Sequence, residues 1–220
     1  LGGKDTYRYD LVDVGRQVMS DIAQQQLYAE LREAHAAKDK ARFKLATDRW
    51  CGAILDCDRL LSSHAMFQFG RYLQYPVAAG ATADMKVRFE RNARRLITLW
   101  GETDSSLFGY AQRQYGGLMR DYNFRTWRIY LETAGRNLRD GAAPDGSIVR
   151  EFTASWLNER KRYPVDAEGE PVAAARSWSE RLELKNVALH RSDIMELEPG
   201  FGEFDYIIAH GVYSWVPAEV

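Results

Sequence analysis

Residues 97–121, ITLWGETDSSLFGYAQRQYGGLMRD, decide the fold. The apolar run Leu96, Ile97, Leu99 and Trp100 ends at Gly101, where a left-handed glycine just past a helix C-terminus is expected. Asp104 or Ser105 then offers a side-chain acceptor to the free N–H groups of a following helix. Leu107, Tyr110, Ala111, Tyr115 and Leu118 recur at spacings of three and four, which predicts a second helix with one apolar face. Gly116 and Gly117 fall in its middle at a cost of about 1 kcal/mol each, so a close backbone contact is expected to offset them. Trp100 and Tyr110 flank the polar corner. Aromatic pairs at helix corners are mostly packing; the other reading is an aromatic wall for a sugar or another ring-shaped ligand.

The chain on either side repeats the helical pattern. Leu11, Val14, Val18, Ile22, Leu27 and Leu31 form a stripe over 9–37, with Asp5 and Thr6 as candidate caps. Phe43, Ala46, Trp50, Ile54, Leu60 and Leu61 do the same over 38–61. A shorter aromatic-rich piece, Met66 to Leu73, is broken by Pro76 and the run Ala78-Ala79-Gly80. Further helices are predicted over 84–100, 123–138, 148–163 and 172–184. On the first of these, Arg88, Arg91, Arg94 and Arg95 read as a solvated or carboxylate-paired face. Pro164 ends the helix that starts at Ile148.

Past the last helix the character changes. Asn186 to His190 and Phe204 to Ala209 are short, β-branched-rich strand candidates. The fold class expected is therefore all-α, a helical bundle of six to eight helices over 1–178. A short, incomplete α/β segment over 179–220 follows, with the boundary falling in 172–184.

Thirty basic and 31 acidic residues in 220 give a net charge of −1, so charge implies no nucleic-acid partner and no membrane surface. No apolar run approaches bilayer length. The chain opens on Leu1 and closes on Val220 with no terminating feature, so a fragment of a longer protein is expected. Cys51 and Cys57 lie six apart in a helical pattern, too far to bridge, and read as buried free thiols. His35, His64, His190 and His210 are scattered, with no metal-ligand spacing. No nucleophile elbow or phosphate loop is present. Glu102, Asp104 and Asp121 lie near the central loop and read as caps and surface charges.

Several segments resemble, in order, the helical C-terminal domain of the alpha-N-acetylglucosaminidases. These are Tyr7-Arg8-Tyr9-Asp10-Leu11-Val12-Asp13 with Arg16-Gln17, then Leu96-Ile97-Thr98-Leu99-Trp100-Gly101. Tyr110-Ala111 with Gln114-Tyr115-Gly116-Gly117-Leu118 comes next, then Asp121-Tyr122, Arg125-Thr126-Trp127 and Lys161-Arg162-Tyr163-Pro164. Glu102 departs from the family's proline after the Trp-Gly pair. The resemblance implies that an upstream (β/α)8 barrel supplies the two catalytic carboxylates of a retaining glycosidase. It implies that the helical domain packs on that barrel and that Trp100, Leu107 and Tyr110 face N-acetylglucosamine at the end of a glycan. No cofactor and no metal are expected.

The tail resembles the middle of a class I S-adenosylmethionine-dependent methyltransferase. The resemblance rests on Leu184-Lys185-Asn186-Val187, Ser192-Asp193-Ile194-Met195-Glu196-Leu197 and the run from Gly202 to Pro217. It implies that Asp193 meets the adenine amine. The glycine-rich first turn and the ribose-holding acid are absent, so no S-adenosylmethionine binding is expected. A free-standing helical binding or scaffold module and a methyltransferase with a helical extension stand as the alternatives.

Overall fold

The computed structural model describes residues 5–139 and 146–183, together with 185, 188 and 200 singly. The strand candidates and nearly all of the methyltransferase-like tail lie outside these residues. Among the described residues there are eight α-helices. They are α1 (Asp5–Ile22), α2 (Tyr28–Ala36), α3 (Lys40–Ser62), α4 (Phe69–Ala78), α5 (Ala83–Leu96), α6 (Phe124–Arg136), α7 (Ser147–Trp156) and α8 (Pro171–Arg181). The one bridge among them, Gln68 to Gly116, is isolated, so the all-α expectation holds.

The bundle is built around α3. Asp39 caps it by accepting the Arg42 N–H at 3.0 Å, one orphan donor satisfied in the usual way. Helices α1, α2, α6 and α8 all pack against α3. Leu60 and Leu61 are fully buried against Val12 and Met19 of α1 and Trp178 of α8. Phe43, Ala46 and Cys51 meet α2 and α6. Asp56, wholly buried on α3, takes Arg181 Nε at 2.9 Å and so ties down the end of α8. A second core of Phe69, Leu73, Leu118, Tyr122, Trp156 and Leu157 joins α4, α5 and α7. Both cysteines are free and buried, as expected.

Several boundaries differ from the sequence reading. The first stripe is out of register: Val12 and Met19 are buried while Val14 and Val18 are 39 % and 45 % exposed. A single π-helical turn, Ala23–Leu27, stands between α1 and α2. Its extra residue rotates α2 by about 100° relative to α1, so Leu27 and Leu31 align with Val12 and Met19. Pro76 does not break α4 but sits inside its last turn. Helix α7 ends at Trp156 rather than at Pro164. Beyond it the chain runs without regular structure to α8 as a strap over the second core.

The largest departure is the helix expected after Asp104. Residues 103–111 form consecutive turns, and helix resumes only at Leu118, through a second π-turn, Met119–Asn123. Gly109 and Gly117 have φ of +77° and +86°, which no helix can pass through. Gly116-Gly117 therefore stands at a helix entry, not in mid-helix. The predicted close approach is present. A Cβ on Gly116 would lie 2.5 Å from Ser62 Oγ and 2.8 Å from Ser62 Cα.

Candidate functional site

Helix α5 ends at Leu96, and Thr98 folds its hydroxyl back onto Arg94 O at 2.8 Å. The chain reverses through Trp100, whose N–H reaches Arg95 O at 2.9 Å. The left-handed residue is Trp100 itself, at φ +59°, and not Gly101. Tryptophan there costs about 1–2 kcal/mol that glycine would not. The loop then closes on its own base, with Gly109 N–H donating to Thr98 O at 2.7 Å.

This closure gathers the three residues singled out from sequence. Trp100 and Tyr110 meet edge to face, ring centroids 5.4 Å apart at 62°. Trp100 is 39 % exposed, Leu107 45 % and Tyr110 72 %. Leu99 and Ala111 beside them are buried. Trp156 and Trp178 are buried as well, and Trp50 and Trp127 are partly buried against one another.

The loop interior is tied by short bonds. Ser105 Oγ accepts the Leu107 N–H at 3.1 Å, and Ser105 N–H donates to Glu102 O at 3.0 Å. Glu102 pairs with Arg95 at 2.8 Å, exposed to solvent. From α7, Arg150 Nη1 donates to Thr103 O and Ser105 O, both at 2.9 Å, and its guanidinium lies 4.7 Å from the Phe108 ring centre.

The far end of the loop is anchored more deeply. Gly116 N–H donates to Phe67 O at 2.8 Å and Gly116 O accepts from Phe69 N–H at 3.0 Å. Asp58, buried on α3, accepts the N–H groups of Gly117 at 2.7 Å and Arg120 at 3.0 Å. Burial pushes the Asp58 carboxyl above its usual range, against the pull of Arg120 and those N–H groups. Between α1 and residues 112–115 lies a cleft of about 960 Å³, lined by Tyr9, Met66, Tyr115 and Trp127 among others. At its edge Arg16 joins Asp13 at 2.7 Å to Gln114 at 3.0 Å, and Gln114 donates to Ser20 at 3.0 Å.

Of the three carboxylates near the loop, Glu102 and Asp104 are exposed, as expected. Asp121 is not a surface charge. It is 8 % exposed and accepts from Lys161 Nζ at 2.6 Å, Trp156 Nε1 at 3.4 Å and the Tyr163 hydroxyl. Burial raises its carboxyl, but those donors and the Lys161 charge outweigh it and hold it below the usual range. The two segments that meet here, Asp121-Tyr122 and Lys161-Arg162-Tyr163-Pro164, were separate in the sequence reading. Among the described residues no group of three or more His, Cys, Asp or Glu is placed to hold a metal ion, and no helix is long and apolar enough to cross a membrane.

Residues 1–181 match the family model of the alpha-N-acetylglucosaminidase (NAGLU) C-terminal domain. The human alpha-N-acetylglucosaminidase is 27 % identical over 181 residues, 80 % of this chain and 24 % of the human protein. A family 89 glycoside hydrolase from Clostridium perfringens, solved with 2-acetamido-1,2-dideoxynojirmycin, superposes with a TM-score of 0.74 at 26 % identity, over 84 % of this chain and 22 % of that one. A Clostridium perfringens family 89 enzyme with two glutamates replaced by glutamine, in complex with its substrate GlcNAc-alpha-1,4-galactose, superposes at 0.71 and 26 % identity, over 81 % and 21 %. The chain thus spans about a quarter of the length of these relatives.

Proposed function

The chain belongs to the alpha-N-acetylglucosaminidase C-terminal domain family, and on that premise we propose that it completes the sugar pocket of a glycoside hydrolase removing terminal alpha-linked N-acetylglucosamine. A retaining glycosidase needs two carboxyl groups about 5–5.5 Å apart, one nucleophile and one acid/base. We assign both to an upstream (β/α)8 barrel of the same full-length protein. Glu102 is spent on Arg95, and Asp121 on Lys161 and Tyr163. The helical domain supplies binding surface: Trp100 offers an apolar face to the C–H side of a pyranose, Leu107 apolar contact, and Tyr110 a hydroxyl for the sugar. The helical domain packs on that barrel. We set the domain's limit at the end of α8; the sequence boundary at 178 and the family match ending at 181 support that limit.

One observation carries the reading: a loop closed by its own hydrogen bonds holds Trp100, Leu107 and Tyr110 outward while its other apolar residues turn in. In the full-length enzyme, Trp100→Ala is expected to cost about 2–4 kcal/mol of transition-state stabilisation, roughly 30- to 900-fold in kcat/KM on an aryl alpha-N-acetylglucosaminide. Circular dichroism controls for folding. Wild-type kcat/KM in a folded variant returns Trp100 to a mere corner residue. The 220-residue chain alone is expected not to hydrolyse the glycoside; activity there would overturn the assignment of the carboxylates to the barrel.

A further inference from the structure

We propose that Arg150 is a positioning residue for the sugar-facing loop, so that the docking of α7 decides whether Trp100, Leu107 and Tyr110 stand ready for ligand. The inference rests on the proposal that this loop faces the sugar.

Across the outer part of the loop, residues 100–109, the other hydrogen bonds are local. Trp100 to Arg95, Gly109 to Thr98, Ser105 to Glu102 and Leu107 to Ser105 all join residues between 95 and 109. Nine successive residues without helix or strand lose little by opening together, because each local bond fixes few dihedrals relative to its neighbours. Arg150 reaches in from 47 and 45 positions along the chain, to the carbonyls of Thr103 and Ser105. Those two carbonyls lie at the outer turn, between Trp100 and Leu107. The same guanidinium lies over Phe108, the residue that links Leu107 to Gly109. One planar cation thus fixes two acceptors and one ring, which a lysine ammonium cannot do with the same geometry.

The support behind Arg150 is rigid. One turn along α7, Thr153 is fully buried and its hydroxyl meets that of Tyr122 at 3.0 Å. Phe152, on the same helix, lies 6.3 Å from the Tyr122 ring, and Trp156 is wholly buried between Phe69 and Tyr122. A side chain projecting from an element held this way can set a loop more sharply than the loop sets itself.

Loss of this hold predicts a particular kinetic pattern. If the ready conformation falls from nearly full occupancy to about a tenth, apparent affinity falls by that fraction while the bound, reordered enzyme turns over as before. Arg150→Met in the full-length enzyme is therefore expected to raise KM about tenfold, some 1.4 kcal/mol, with kcat within twofold of wild type. Arg150→Lys, keeping the charge and a donor, is expected to recover part of that rise. Partial unfolding would do the opposite, lowering apparent kcat and leaving KM alone.

Hydrogen exchange in the 220-residue chain supplies a second readout. In Arg150→Met the amides of Ser105, Leu107 and Gly109 are expected to exchange about tenfold faster, with those of α5 and α7 unchanged. A wild-type KM together with wild-type exchange, or a Lys variant no better than Met in both readouts, would overturn the proposal. If Trp100→Ala is impaired and Arg150→Met is not, this inference fails alone. If Trp100→Ala is itself silent, the sugar-facing reading fails and takes this inference with it.

Discussion

Asp121→Asn should loosen the strap that Asp121 holds through Lys161 and Tyr163, and the size of the effect is set by the donors around the carboxylate. Asp121 sits 8 % exposed between the Lys161 ammonium, the Tyr163 hydroxyl and the Trp156 indole N–H. All three groups donate. An ionised carboxylate accepts from all of them, whereas an asparagine offers one carbonyl and turns an NH2 toward another donor. A hydrogen bond to a charged group contributes about 1.5–3 kcal/mol. The Lys161 side chain is 53 % exposed, so its share is discounted toward the surface value of under about 1 kcal/mol. The Trp156 contact, at 3.4 Å, is long and adds little. Tyr163 and the NH2 facing a donor carry most of the effect, giving about 2–4 kcal/mol. At about 2–4 °C per kcal/mol for a domain of this size, Tm should fall by roughly 4–16 °C.

The pH dependence gives a sharper test of the same carboxylate. Its folded pKa lies below the ordinary value because the three donors outweigh burial. A group with a depressed folded pKa contributes stability that is complete above its unfolded pKa, about 3.9. That stability is lost as pH falls through the folded pKa. Wild type and Asp121→Asn should therefore differ fully at pH 7, and the gap should narrow as pH falls below that unfolded value through the depressed folded one. Urea titrations of the 220-residue chain at pH 7 and through the acid range read the gap. A variant within about 0.5 kcal/mol of wild type at pH 7, or a gap that persists unchanged into acid, would refute the reasoning.

Gly116→Ala should destabilise the domain by about 1–3 kcal/mol, because its Cβ would meet Ser62 at 2.8 Å from Cα, a backbone atom that cannot swing aside; urea unfolding that matches wild type would show that α3 gives way there. Both thiols should be silent toward Ellman's reagent at pH 8 in the native chain and react fully in denaturant. Burial pushes Cys51 to about 11 and Cys57 to about 12, leaving almost no thiolate.

The bundle was legible because its helices obey one rule at a time. In α3, Phe43, Ala46, Ile54, Leu60 and Leu61 recur on the face that packs inward, and no glycine or proline interrupts that face except Gly52. The first stripe failed within α1, where Val12 and Met19 face inward and Val14 and Val18 outward, and the π-turn after it left one mark, the five-residue step from Ile22 to Leu27. The helix predicted over 105–118 failed for a different reason. Its apolar residues do recur at three and four, yet the spacing is met by a turn series that buries Ala111 and exposes Tyr110. Gly109, together with Gly116-Gly117, was the available signal, since three glycines in nine residues lower helix propensity by about 3 kcal/mol. Asp121 and Arg150 were hidden because their partners lie tens of residues away. A lone acid and a lone arginine carry no spacing to read.

The helix end at Trp100 shows how a residue can be singled out in the sequence before its geometry is known. The rule that places glycine at the left-handed position pointed to Gly101, one residue too late. Backbone economy alone favours glycine at that reversal, by about 1–2 kcal/mol. A tryptophan there is held by the bond from its N–H to Arg95 O and by the Gly109–Thr98 closure. The left-handed turn directs the indole away from Leu99 and the core, toward Tyr110 at the surface. Moving the reversal to Gly101 would relieve the strain and change the direction in which the indole leaves the chain. Strain, exposure and an edge-to-face partner thus fall on one residue. Strained backbone clusters at binding sites because the surrounding structure enforces it. Here the enforcement runs through Thr98 and Gly109 at the base and Arg150 at the outer turn, so the orientation of Trp100 depends on a helix that enters the chain 47 residues later.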